Sequence, residues 1–479
     1  MKSYICAISQ LVMTEREQTI CAPATSSGGA VSMIRVSGTD SLGIFEKIFS
    51  PYDKRLSISG MGGYNVVHGD IHDGSEIIDE VLATIFRSPR SYTGENAVEI
   101  SCHGSSYIIS RILELLIANG ARAAGPGEFT RRAFLNGKMD LSQAEAVADL
   151  VASGSEASHR IAINQIRGGF SAEIEKLRSE LINFASLIEL ELDFGEEDVE
   201  FADRDDLLKA VGKTKHEAER LASSFRLGNA IRNGIPVAIV GKPNSGKSTL
   251  LNALLNEEKA IVSDIPGTTR DAIEDTINIG GILYRFTDTA GLRDTEDTIE
   301  NLGIRKTHEK IMQASVVMMV DEVTSGADEI NERIRFIRKL IDERNCRLFI
   351  LVNKIDLAGE HVSEDLGKSI ELNAQDNLLF ISATKSTGLE ILRKKLGDVI
   401  EAEHLTDSNI IITNIRHFEA LRNVSDSLER VIDGFNEKIP DDIIAIDMRQ
   451  AIHYLGEITG QITTDEILGN IFKNFCIGK

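Results

Sequence analysis

IPVAIV at 235–240, running straight into GKPNSGKS at 241–248, decides the fold. The apolar hexapeptide reads as a buried strand. The octapeptide has the G-x-x-x-x-G-K-S spacing of a phosphate-binding loop. Gly241 and Gly246 allow the backbone to turn tightly enough for successive N–H groups to face phosphate oxygens. Lys247 is placed to reach the β- and γ-phosphates, and Ser248 to ligate Mg²⁺. TLLNALL at 249–255 then opens a helix whose positive N-terminal end also favours an anion. Asn244, Ser245 and Thr249 complete the predicted contacts of this loop.

Three further signatures follow in order, each behind a short apolar run: YRFT (284–287) before DTAG (288–291), RLFILV (347–352) before NKID (353–356), and LLFI (378–381) before SAT (382–384). A parallel sheet delivering its loops to one edge would gather all four. Thr269, in GTTRD at 267–271, is the second Mg²⁺ ligand candidate, on a loop that a γ-phosphate can order. Asp288 is placed to hold the metal's water shell, beside Thr289 and Ala290, and the Gly291 N–H to meet the γ-phosphate. Asp356 can accept from guanine N1–H and the exocyclic amine, a pairing adenine does not offer; Asn353, Lys354, Ser382 and Ala383 belong to the same base site. Four signatures in order identify guanine-nucleotide chemistry. Leu292 follows DTAG where many GTPases carry a glutamine that orients water. Leucine cannot do that, so catalytic help must come from elsewhere.

Bulk properties narrow the class. The 479 residues suffice for about three domains. The longest apolar stretches, such as VVMMV at 316–320, fall far short of the ~20 residues a membrane span needs. The first residues carry one lysine and a short interrupted apolar run, which predicts no signal peptide. Five scattered cysteines with no CxxC pair predict neither a zinc site nor a disulfide framework, and fit a cytoplasmic protein. A net charge of −22 argues against non-specific coating of nucleic acid, though not against docking a folded RNA by shape.

The organisation is mixed. AVSMIRVSG (30–38), GYNVVHGDI (63–71), DEVLATIFRSP (79–89) and NAVEISCHG (96–104) read as strands, and SYIISRILELLIANG (106–120) as a helix closed by Gly120. Together they make an α+β unit. From Leu141 the pattern turns helical, with Leu177, Leu181, Ile188 and Leu192 on one face. EEDVEFADRDD (196–206) reads as a solvated helix connection. After the nucleotide segment, Phe418, Leu421, Ser425, Leu428, Ile432 and Phe435 form a heptad-like seam, read as core packing. The expected domains are 1–138, a helical part at 139–232, the nucleotide domain at 233–400, and a second helical part at 401–479. The fold class is thus multidomain, α/β and α: an N-terminal α+β domain and a discontinuous helical domain interrupted by an inserted Ras-like P-loop domain.

With these loops in place, the chain resembles the MnmE (TrmE) family of tRNA-modification GTPases from about Thr19 to its end. Outside the nucleotide domain the resemblance rests on SYTGENAVEISCHG (91–104), GEFTRRAFLNGKMDLSQAEAVADL (127–150), GEITGQITTDEILGNIF (456–472) and the terminal FCIGK (475–479). It implies GTP hydrolysis with K⁺ where other GTPases use an arginine finger. Asn244, Ser263, Ile265 and Thr268 match the K⁺ ligands, within a nucleotide-contacting loop that includes Asp264, Pro266 and Gly267. Glu300 matches the residue that orients the attacking water indirectly. The N-terminal domain would bind a tetrahydrofolate derivative, 5-formyl or methylene, at Arg35, Glu99, Lys138 and Lys479, with Cys476 near that site as a possible redox or catalytic thiol. The resemblance further implies a homodimer through the N-terminal domains and a heterotetramer with an FAD-containing MnmG (GidA)-type partner. The expected product is an aminomethyl or carboxymethylaminomethyl group at C5 of the tRNA wobble uridine.

Two other readings use the same loops. A ribosome-assembly GTPase would co-sediment with ribosomal subunits, and a nucleotide-gated scaffold would bind GTP without turnover. A single P-loop removes the tandem type of the former, and intact Lys247, Ser248, Thr269 and Asp288 favour turnover over the latter.

Overall fold

Alternating apolar and polar residues build the first of two sheets in the computed structural model. The structure describes residues 18–26, 28–193, 204–259, 275–286, 308, 311–341, 346–358, 360–398, 410–473 and 475–478. By internal contacts the chain divides into two units. One comprises Met1–Val151, Gln165–Asp193 and Met448–Lys479; the other comprises Ala152–Asn164 and Phe194–Asp447.

In the first unit, seven strands pair in the order β3-β4-β5-β6-β2-β1-β7. They are β1 (Ile20–Pro23), β2 (Val31–Ser37), β3 (Phe49–Pro51), β4 (Asn65–Asp73), β5 (Glu76–Phe86), β6 (Ala97–His103) and β7 (Arg122–Ala123). All neighbours are antiparallel except β1 and β7. The four strands expected from sequence are β2, β4, β5 and β6. Side chains of Ile34 and Val36 on β2, Val81, Ala83 and Ile85 on β5, and Val98 and Ile100 on β6 point into one core with Phe45, Ile112 and Leu116 of the helices Ser41–Ile48 and Ser106–Ala118. Alternate residues therefore face away from that core: Arg35, Thr84 and Glu99 lie side by side on the opposite face.

The helix expected at 106–120 ends at Ala118. Gly120 lies just past the cap at φ 113°, where Gly120 N donates to Ile117 O and Ala121 N to Leu116 O. In the helix Gly169–Asp193, Leu177, Leu181 and Ile188 are buried as their spacing requires. The side chain of Leu192 and most of the acidic stretch, 196–203, lie outside the described residues.

The second unit holds a six-stranded sheet in the order β13-β12-β11-β8-β10-β9: β8 (Ile235–Val240), β9 (Asp275–Ile279), β10 (Ile282–Phe286), β11 (Val316–Glu322), β12 (Arg347–Asn353) and β13 (Asn377–Phe380). All pairings are parallel except the β9–β10 hairpin. Both faces are covered. Val237, Ile239, Met318 and Leu351 pack with Leu250, Leu254 and Leu392 on one side, while Ala238, Val317, Met319 and Ile350 pack with Ile334 and Ile337 on the other. Burial on both faces is why these strands read as unbroken apolar runs. VVMMV, noted in sequence only for its length, is β11 at the centre of the sheet.

The seam expected in 418–435 needs correction. In the helix Ile415–Asn436 the buried strip is His417, Ala420, Leu421, Val424, Ser427, Leu428, Val431 and Gly434. Phe418, Ser425, Ile432 and Phe435 flank it, only partly buried. The small residues Ala420, Ser427 and Gly434 leave room for close packing. Gly434 lies against Ile444, and Phe418 is turned sideways to stack on Phe225, ring centres 4.8 Å apart. Among the described residues, no helix is long and apolar enough to cross a membrane.

Candidate functional site

Strand β8 ends at Val240 and the phosphate loop begins. Two glycines are sterically required there. A Cβ on Gly241, at φ 150°, would lie 2.1 Å from Val320 O of β11, and one on Gly246, at φ 96°, would lie 2.1 Å from Asn353 Nδ2. Asn244 also takes a left-handed conformation, φ 62°, which a non-glycine residue adopts at a cost and which turns the loop over the strand end. Lys247 opens the helix Lys247–Lys259. Its Nζ donates to Gly241 O at 3.0 Å and Lys242 O at 2.5 Å, so the ammonium is folded over the loop that it would share with a phosphate. Ser248 and Thr249 follow in the first turn of that helix.

The other two described loops reach the same place. Asn353, at the end of β12 and 2% exposed, donates from Nδ2 to Ser245 O at 2.9 Å and accepts at Oδ1 from Ala383 N at 3.0 Å. One amide thus ties the phosphate loop, the NKID turn and the SAT loop together, and its burial makes each bond costly to lose. Asp356 lies in the 3₁₀ turn Ile355–Leu357, where its Oδ1 accepts from Ser382 Oγ at 2.6 Å. Ser382 Oγ in turn accepts from Lys385 N at 3.2 Å. The carboxylate is therefore oriented before any base arrives. Lys354, left-handed at φ 63°, donates to Glu322 Oε1 at 2.6 Å. Sequence patterns did not single out Glu322.

The structure brings together Asn244, Ser245, Gly246, Lys247, Ser248, Thr249, Asn353, Lys354, Asp356, Ser382 and Ala383 around the ends of β8, β12 and β13. Ser263, Asp264, Ile265, Pro266, Gly267, Thr268, Thr269, Asp288, Thr289, Ala290, Gly291, Glu300 and Lys479 lie outside the described residues.

The first unit holds a second polar constellation. Arg35 and Glu99 are cross-strand partners on β2 and β6. Arg35 donates to Glu99 Oε1 from Nε at 2.9 Å and from Nη2 at 2.8 Å. Both contacts fall on one carboxylate oxygen. The guanidinium also donates to Gly478 O at 3.3 Å and lies over the rings of Tyr92 and Phe129, 5.1 and 5.6 Å from their centres. The C-terminus is drawn in closely: a Cβ on Gly478 would lie 2.1 Å from Pro23 O. Lys138 Nζ donates to Pro89 O at 3.0 Å. A neighbouring network braces this region. Arg132, 5% exposed, meets both oxygens of Glu95 at 3.1–3.2 Å, Glu128 at 3.0 Å and Gln18 O at 2.8 Å. Burial raises the Glu128 carboxyl's pKa, but hydrogen bonds from Arg122 and Gly125 N, with the two guanidinium charges, bring it below the usual range.

Cys476 is exposed, and its carbonyl accepts from Gly127 N at 3.3 Å. The buried thiols differ. Burial pushes Cys21 up to about 11, and burial with the nearby Asp79 charge does the same for Cys102, so neither offers a thiolate at neutral pH.

Residues 19–138 match the family described as "GTP-binding protein TrmE N-terminus", and residues 141–476 the family described as "MnmE helical domain". The chain is 50% identical over 465 residues to a tRNA modification GTPase MnmE of Bacteroides thetaiotaomicron, covering 97% of this chain and 100% of that one. Similar relatives of the same description occur in Bacteroides fragilis, 50% identical over 97% and 100% of the two chains, and in Christiangramia forsetii, 52% identical over 96% and 99%.

Proposed function

Because the chain belongs to the MnmE family of tRNA modification GTPases, we propose that its nucleotide loops drive modification of C5 of the tRNA wobble uridine. The observation that carries the GTP reading is the Asn353 amide, which joins the phosphate loop to both base-site loops. Asp356, held by Ser382, then selects guanine, and Lys247 with the loop N–H groups holds the phosphates.

The helix-terminal Ser248 hydroxyl suits Mg²⁺, with Thr269 as the second protein ligand. The Asn244 side chain, carried on a loop turned over the strand end, is an oxygen donor suited to a monovalent cation, with Ser263, Ile265 and Thr268. K⁺ bound there would offset charge developing on the transferring phosphoryl group. Glu300 would orient the water through an intermediary, in place of the glutamine that Leu292 replaces.

In the first unit the donor set fits a tetrahydrofolate derivative. Glu99 Oε2 is left over by the Arg35 contacts and can accept from the pterin's amidine-like edge, while Arg35, Lys138 and Lys479 can meet its polar or anionic parts. Methylene-tetrahydrofolate bound here would supply the carbon. Cys476 is an exposed thiol near that terminus. The reading comprises an N-terminal folate-binding domain at 1–138, a helical domain at 139–232 and 401–479, and a G domain at 233–400. It also includes a homodimer and a cytoplasmic heterotetramer with an MnmG-type flavoprotein, whose FAD would carry the electrons.

Nucleoside mass analysis of tRNA from cells lacking this gene tests the function. Loss of the C5-substituted wobble uridines is expected, and an unchanged nucleoside profile would refute the assignment. For the folate site, Arg35→Ala and Glu99→Ala are each expected to weaken a folate derivative about tenfold or more in isothermal titration, since each leaves a partly buried charge unpaired, while GTP turnover stays near that of the parent. Unaltered folate binding in both variants would remove these residues from the site.

A further inference from the structure

The end of β11 with the turn and helix that follow it carries none of the nucleotide signatures, yet the turn touches the NKID loop and the helix Ala327–Ile341 touches the phosphate loop. Asp321, fully buried near the end of β11, accepts at Oδ2 from Arg333 Nε at 2.7 Å and from Arg333 Nη2, and at Oδ1 from Ser325 Oγ at 2.8 Å. A buried carboxylate gripped by a guanidinium from the helix Ala327–Ile341 is a rigid anchor. The next residue, Glu322, lies opposite Asn353 in the parallel register, and Val323 N donates to Asn353 O at 2.9 Å. Glu322 Oε1 accepts from Lys354 Nζ at 2.6 Å, and Oε2 from Thr324 Oγ1 at 3.2 Å. Toward the phosphate loop, Arg333 Nη1 donates to Glu329 Oε1 at 3.1 Å, and Glu329 pairs with Lys242.

Resting on the guanine-nucleotide reading above, we propose that Glu322 is a positioning residue for nucleotide binding that acts through Lys354. Lys354 stands two residues before the base-reading Asp356, on a left-handed backbone that aims its side chain away from an ordinary extended course. A lysine ammonium free in water samples many rotamers, and ordering it on binding costs affinity. Glu322 holds the end of that side chain before nucleotide arrives, so the four-carbon stem is fixed at a point two residues along the chain from the base-reading Asp356. Its carboxyl is itself held: the Lys354 hydrogen bond, opposed by some burial, keeps its pKa below the usual range and keeps it charged. Surface ion pairs between two mobile side chains contribute little. Here each partner is restrained separately, Glu322 by Thr324 and the strand register, Lys354 by its backbone.

The test is titration of the full chain with a fluorescent GDP, comparing Glu322→Gln, Lys354→Met and the double variant, with melting temperatures to exclude unfolding. Glu322→Gln is expected to weaken GDP about fivefold, because the pair is roughly one-third exposed and partly screened. It should also raise KM for GTP with less than about a twofold change in kcat, the signature of lost ground-state binding. In the Lys354→Met background the same substitution should change affinity by less than about 1.5-fold, since the coupling partner is gone. Equal losses in both backgrounds, or no loss from Glu322→Gln in the parent background while Lys354→Met does weaken GDP, would overturn the link. If Lys354→Met leaves GDP affinity intact, Lys354 is not part of the nucleotide site and the proposal falls with that assignment.

Discussion

Asp356→Asn is expected to lower GTP affinity by on the order of 10⁴-fold and to admit xanthosine triphosphate in its place. The size follows from replacing a charged double acceptor with an amide. Guanine offers N1–H and an exocyclic amine to this position; an asparagine sets its own N–H₂ against one of these donors and leaves it unpaired in a desolvated site. Xanthine carries a carbonyl where guanine carries the amine, so the amide has something to donate to. The structure makes the swap clean, because Ser382 Oγ bonds Asp356 Oδ1 at 2.6 Å and Asn353, which bridges the loops, is not altered. Competition binding of the two triphosphates reads the result. Retained GTP affinity would show that Asp356 does not read the base.

Replacing KCl by NaCl is expected to cut phosphate release by about 100-fold, comparable to removing one stabilising group from developing transition-state charge. Leucine at 292 leaves no side chain there to orient water, and the reading places the compensating charge on a cation beside Asn244. Phosphate release by the full chain in matched ionic strengths measures the difference. Equal and negligible rates in both salts would favour a nucleotide-gated scaffold.

The parallel sheet was legible because strands buried on both faces are apolar almost throughout, with polar residues such as Asp321 and Asn353 only at their ends: β8 and β12 coincide with IPVAIV and RLFILV almost to the residue. Glycine punctuation was legible for a steric reason now visible, the carbonyl of Val320 against Gly241 and the amide of Asn353 against Gly246. The helix Ile415–Asn436 was read one step around its axis. Heptad counting follows the large residues, whereas the packed strip includes Ala420, Ser427 and Gly434, chosen for being small.

Composition, loop spacing and periodicity determined on their own that this chain binds a guanine nucleotide on a parallel sheet, since those signals are local and each residue's role can be read from its neighbours in the chain. Tertiary structure alone decided that Arg35 meets both Glu99, 64 residues away, and Gly478, 443 residues away. It alone made Asn353 the tie between three loops and put Glu322 on Lys354. Strand register and loop closure bring these groups within hydrogen-bond reach, and neither depends on any short run of sequence.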